Sequence, residues 1–143
     1  MKRTDPIEIL NHLLRLLFRS LPVYLEGGQL WTGSGHQNGV VVLHRIASDR
    51  RAMSQQLATA IYRRGGLAEG GNFPAAFTGM HDLALDYVVK QVRSTIEQDV
   101  KTIQHFAAAV ADDPEALLLV NQALAAASKH LEMLDTTTAK VAG

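Results

Sequence analysis

One acid in this chain stands where an apolar side chain is expected. Between residues 40 and 64, apolar residues recur at helical spacing (Leu43, Ile46, Met53, Leu57, Ala60, Ile61), and Asp49 falls in the middle of that seam. An acid at a core position is a metal ligand, the partner of a buried cation, or a carboxylate that reaches water. Imidazole is the natural companion of a carboxylate at a hard metal, and the chain has six histidines, at 12, 36, 44, 81, 105 and 130. They do not recur at the helical spacings that an all-histidine iron site in a bundle would need. Other chemistries have less to stand on. There is no G-x-S-x-G elbow. The Gly33-Ser34-Gly35 run and the glycines near 70 have no strand before them and no Lys-Ser/Thr after them, so they read as turns and not as phosphate loops. With no cysteine, disulfides, thiolate metal sites and a thiol nucleophile are all excluded, and the composition suits a reducing cytoplasm.

The elements that must position these residues are helical. Asp5-Pro6-Ile7-Glu8 sets an N-cap, a proline at the first helical position and an acid in the first turn. A stripe of Leu10, Leu14, Leu17, Leu21 and Tyr24 follows, which predicts a helix over about 6–26 that Pro22 kinks or interrupts and Gly27-Gly28 closes. Leu13, Leu16, Phe18 and Leu25 widen the stripe past one face. So broad an apolar circumference is expected to be covered on more than one side, by a second copy of the chain: a homo-oligomer, a dimer in its simplest form. Residues 29–39 read as a loop, with Trp31 plugging the end of the core.

A second helix is predicted over about 40–64, ending in Arg63-Arg64 before Gly65-Gly66. After an irregular, glycine-rich stretch, Thr78 is placed to cap a third helix over about 79–111. Asp82 then sits near the first turn, Asp86 flanks the seam, and Asp99 lies on it. Asp113-Pro114-Glu115 repeats the cap-and-proline signal and opens a fourth helix over about 114–135, with a stripe of Leu117, Val120, Leu124, Ala127, Leu131 and Leu134. The tail after Asp135 is expected to fray. No strand pattern competes, so the fold class is all-α, a four-helix bundle.

Composition bounds the partners. The chain has 143 residues, enough for one domain with a substantial core. Lys+Arg and Asp+Glu are equal at 14 each, which gives no electrostatic reason to expect nucleic acid or an anionic membrane. The most apolar early stretch, around Leu13 to Phe18, is short and carries Arg15 with Arg19 just beyond, so it reads as neither signal peptide nor membrane span.

A long helical hairpin, a connecting segment and a second hairpin together resemble the ferritin-like superfamily, and within it the rubrerythrin-type and related small bacterial bundle domains. The resemblance is architectural and covers nearly the whole chain, 1–143. It implies a crossover between helices two and three, which would then run parallel. It also implies a carboxylate-bridged di-metal centre of six ligands, one Glu from each of two helices and a Glu-x-x-His from each of the others. Residue by residue, Asp49 would take the Glu place on the second helix, with Ala52 where His should follow. His130 would take the His place on the fourth, with Ala127 where Glu should precede. The first helix offers Arg15 and Arg19, and the third Asp86, or Glu97 and Asp99 further on. Three candidate metal ligands survive, Asp49, Asp86 and His130, and the neighbouring Arg50 and Arg51 would repel a metal. At ~1.5 Å per residue, the crossover places Asp86 and His130 within a turn or two of Asp49, whereas an up-and-down bundle brings Asp99 level with it.

The expectation is therefore a ferritin-like bundle without a di-metal centre or resident cofactor, acting as a non-enzymatic structural or interaction protein. In it Asp49 would be ion-paired to Arg15 or Arg19. The alternative is a degenerate iron or manganese protein of iron or peroxide handling, its metal held by Asp49, Asp86 and His130. A third reading is a binder of small molecules in the bundle interior.

Overall fold

A computed structural model describes residues 5–20, 22, 37–70 and 85–142. Among them are four helices and no strand: α1 (Pro6–Phe18), α2 (Gln37–Arg63), α3 (Leu85–Ala109) and α4 (Pro114–Ala142). The expectations for Trp31, for the Thr78 cap, for His81 and Asp82, and for Tyr24 and Leu25 lie outside the described residues.

The ends of the helices follow local chemistry. Asp5 caps α1 by accepting from the Ile7 amide at 2.9 Å, and Asp113 caps α4 by accepting from the Ala116 amide at 3.1 Å. Helix α1 ends at Phe18, eight residues before the predicted end at 26. Pro22 is the reason: a continuing helix would need its missing N–H to reach the Phe18 carbonyl, and its ring would crowd that same oxygen. Helix α2 closes on glycine. Gly65 takes φ +83°, its amide bonds to the Tyr62 carbonyl, and the Gly66 amide reaches back to Ile61, both at 3.0 Å. Helix α2 also begins three residues earlier than the spacing suggested, and α4 runs on to Ala142 where fraying was expected. No Gly or Pro interrupts α4 before residue 143, and the Thr136 hydroxyl bonds back to the Glu132 carbonyl at 3.0 Å, so nothing local ends it.

The helices pack as two hairpins. In the first, α1 lies antiparallel to α2, and the chain leaving α2 folds back over α1. The Asn11 side chain clamps that segment by donating to the Leu67 carbonyl at 2.9 Å and accepting from the Glu69 amide at 2.8 Å. In the second, α3 and α4 are joined by a tight turn in which the Asp113 amide bonds to the Val110 carbonyl, and Arg93 pairs with Asp135 across the hairpin. The core is continuous between them: Leu10, Leu13, Leu17, Leu43, Ile46, Leu57, Ile61, Val92, Ile96, Ile103, Val120 and Leu134 are fully or almost fully buried. Two kinds of side chain leave room for this packing. Alanines 116, 123 and 127 let a neighbouring helix approach α4 closely, and Gly66 lets the connector approach α1. Among the described residues, no helix is long and apolar enough to cross a membrane.

A Cβ on residue 66 would meet the Ile7 Cγ2 at 2.8 Å and the Ile61 Cγ2 at 3.1 Å. Gly66→Ala is therefore expected to destabilise the protein by about 1–3 kcal/mol through overpacking, read as a lower urea midpoint at unchanged slope. Gly65→Ala should cost about 1 kcal/mol for its positive φ alone, since a Cβ there meets nothing within 4 Å.

Candidate functional site

The buried ladder on α2 is Leu43, Ala47, Arg50, Ser54, Leu57 and Ile61, a strict alternation of four- and three-residue steps. Asp49 is one position off it. Successive residues on a helix point about 100° apart, so the two neighbours face different helices. The Arg50 side chain is 1% exposed and points into the bundle, while Asp49, at 32%, sits at the edge of the seam towards α4.

Arg50 is the hub. Its guanidinium donates to the Asp99 carboxylate of α3 at 3.0 Å and, more weakly, to the Leu16 carbonyl of α1 at 3.4 Å. Leu16 is free to accept because α1 stops early and leaves its last carbonyls without helical partners. The Arg19 amide takes the Arg15 carbonyl, the Ser20 hydroxyl takes that of Leu17, and Arg50 takes that of Leu16. A cation at the C-terminal end of α1 is also favoured by the helix dipole. One turn on from Arg50, the Ser54 hydroxyl is satisfied by the Arg50 carbonyl at 2.8 Å.

Asp49 completes the set towards α4. Its carboxylate accepts from Arg45 Nε at 3.2 Å and from His130 Nε2 at 2.9 Å. The expected partners were Arg15 and Arg19. Arg15 instead donates to His12 Nδ1 and pairs with Glu69, both on the α1 side of the bundle. His130 is 1% exposed and lies on the α4 ladder of Ala116, Val120, Ala123, Ala127, His130 and Leu134. Since Asp49 can only accept, Nε2 carries the imidazole proton and Nδ1 is left as a lone pair, buried and without a partner among the described residues.

The electrostatics follow from burial. Desolvation pushes the Asp99 carboxyl above the usual carboxylate range, and Arg50 pulls against it without winning. Desolvation likewise lowers His130; the bond to Asp49 raises it, and the nearby Arg50 charge lowers it further. Burial raises Asp49, but its bonds to His130 and Arg45 together bring it below the usual value. A second cluster closes the far end of the bundle. Arg64 makes paired bonds to Asp113 at 2.6 and 2.8 Å and also holds Glu115, and Arg63 joins Glu115 at 3.1 Å. Chiefly through Arg64, and secondarily through the Ala116 amide, Asp113 is pulled down to about 2.

Of the three candidate ligands, Asp49 and His130 come together and Asp86 does not join them. Asp86 lies thirteen residues before Asp99 on α3, roughly 20 Å along the helix axis, and only its backbone is among the described parts. Side-chain pairing, not the point where each helix begins, sets the register between two long helices, and Arg50 pairs with Asp99. The groups that do meet are engaged with one another. Asp49 and His130 Nε2 are spent on each other, and a guanidinium lies beside them. Among the described residues, no three His, Asp or Glu side chains gather as a metal-binding set. The missed signal was a complementary one, a lone cation and a lone anion on the apolar ladders of two different helices.

Among the described residues the chain is thus all-α, four helices with a polar layer through their core. No known family model matches it, and no curated protein or solved structure is significantly similar to it.

Arg50→Ala should cost about 3–5 kcal/mol, because it leaves Asp99 charged and unpaired in the core. The double replacement Arg50→Met with Asp99→Leu is expected to recover most of that loss, and urea unfolding of the two singles and the double measures the coupling.

Proposed function

We propose that the chain is a ferritin-like bundle in which ion pairs occupy the place of a di-metal centre, and that it works as a non-enzymatic structural or interaction protein. The observation that carries this reading is Arg50, a permanent cation buried to 1% exposure between α1 and α3 and hydrogen-bonded to a carboxylate. A fixed positive charge at mid-bundle makes the surrounding carboxylates partners of the protein itself and lowers their availability to iron or manganese.

Asp99 lies level with Asp49, as expected for an up-and-down bundle, but two other features support the crossover that belongs to this reading. Arg50 meets Asp99, and Arg64 meets Asp113; both partners lie 49 residues on, so an advance of fourteen residues along α2 is matched by the same advance along α3 and its following turn. That is the signature of parallel helices. The connector, meanwhile, starts beside Ile7 at Gly66, is held by Asn11 at Leu67 and Glu69, and reaches the Phe18 ring at Gly70. It climbs α1 from one end to the other in five residues, as a crossover must. The same segment covers part of the apolar circumference that had suggested a second copy of the chain. The interaction role rests instead on large apolar side chains left in water, Val41, Tyr62, Leu67 and Leu118.

Elemental analysis of protein expressed with added iron and manganese tests the central point: metal well below one ion per chain is expected, and stoichiometric metal overturns the proposal. Spin labels at positions 41 and 90 test the topology. Parallel helices bring them to one depth, whereas antiparallel helices hinged at Arg50–Asp99 hold them roughly 25 Å further apart. Light scattering that finds only monomer would remove the dimer from the reading.

A further inference from the structure

The bonds that hold the two hairpins together are unevenly spread. Ion pairs from the first hairpin to the second start on α2 or the residue after it, among them Asp49 to His130, Arg50 to Asp99, and Arg63 and Arg64 to Asp113 and Glu115. The last set closes the end of the bundle where α2 finishes and α4 begins. At the opposite end, α4 continues past His130 and α2 begins before Asp49, and the Asp49–His130 bond is the outermost of these cross-hairpin pairs.

We propose that the Asp49–His130 bond is an acid-sensitive latch between the hairpins, which opens the N-terminal half of α2 from the C-terminal half of α4 while the Arg64 end stays closed. In the latched state the neutral ring donates Nε2–H to Asp49 at 2.9 Å. A second proton must go to Nδ1, which is buried without a partner among the described residues. The charged groups around the ring oppose that proton on balance. From α2, Arg50 and Arg45 repel it and Asp49 attracts it. From α3, Asp99 is already engaged by Arg50. Among the described residues, the leading charges that act on the ring thus all lie on α2. The new Nδ1–H would be a buried donor with no acceptor, close to a guanidinium whose own Nε is also buried and unpartnered. The way to relieve it is for the ring to turn out past Asp49, the partly exposed side of the seam, and this loosens α4 from α2.

The sign and range follow. Burial and Arg50 hold His130 below its ordinary value in the folded protein. The unfolded or opened chain therefore binds the proton first, and latch strength is complete above an ordinary histidine value of about 6.5 and is lost as the pH falls below it. The far clamp outlasts this range, because Asp113 stays ionised down to about 2.

The chain has no cysteine, so paired labels can be placed without removing any. Spin labels at Val41 and Glu132 report the latch end, and labels at Thr59 and Leu118 report the clamp end; all four positions are exposed. Between pH 7.5 and pH 5, the first distance should lengthen by several ångström or split into two populations, and the second should hold. His130→Gln keeps an N–H donor for Asp49 but cannot titrate, and it should abolish the change. Asp49→Asn weakens the closed bond and removes the anion that favours the protonated ring in place, so opening should set in at higher pH. The proposal is overturned if the latch-end distance is constant with pH, if it changes equally in His130→Gln, or if Asp49→Asn moves the transition downward or leaves it in place. If His130→Gln does not fold, the Asp49→Asn shift alone decides.

Discussion

The structure depends on keeping one guanidinium charged and paired in an apolar bundle. Desolvating an arginine and an aspartate costs several kcal/mol per ion before their attraction returns anything, and Asp99, still pushed up despite its partner, shows that the return is incomplete. What makes the burial tolerable is that Arg50 meets acceptors from two other helices, the Asp99 carboxylate and a carbonyl freed by the early end of α1. Pro22 and Arg50 are thus linked at a distance: one leaves an orphaned carbonyl, and the other uses it. An apolar side chain at residue 50 would pack as well or better. It would not, however, tell α3 at which register to stop, and a single buried charge pair does that because every other register leaves two unpaired charges in the core.

Asp49 and Arg50 together divide the work of orientation. Being consecutive, they point about 100° apart, so two adjacent side chains on α2 reach α1, α3 and α4. Contacts of this kind give α2 its central position more than its length does. The hairpin formed by α3 and α4 is held to α2 by charge at mid-bundle and again at Arg63 and Arg64, with alanines between that allow close approach without directing it. A bundle built this way is rigid where its ion pairs are ordinary and permanently ionised, as at Arg64 and Asp113. It is conditional where its bond depends on a histidine remaining neutral.

The charge ladders also bear on how a bundle interior is kept for structure or for chemistry. A metal centre needs donors that converge with their lone pairs free. Here Asp49, Asp99 and His130 are close in depth, but Asp49 already accepts from His130 and Arg45, and Asp99 from Arg50, itself a residue of the core, which leaves the Nδ1 lone pair of His130 as the uncommitted one of the three. The neighbourhood is polar without being vacant.

The helices themselves were written in the sequence, because caps, prolines and apolar periodicity act over a few residues: Asp5-Pro6 and Asp113-Pro114 begin α1 and α4, and Gly65 ends α2, where local chemistry says they should. The interior apolar positions of α3 were legible for the same reason, Asp99 among them. Whether Asp49 or Arg50 faced inward was not legible. The steps Ile46–Asp49–Met53–Leu57 and Ile46–Arg50–Ser54–Leu57 both fit a helix, and Met53 made the first look more apolar than the second. Only the packing of three other helices chose the second phase, since it alone gives the buried guanidinium both Asp99 and the Leu16 carbonyl. The pairing of Asp49 with His130 instead of Arg15 or Arg19, and the distance of Asp86 from them, follow from that choice. They are relations between residues 81 or 37 positions apart, set by register between helices, and no local pattern encodes them.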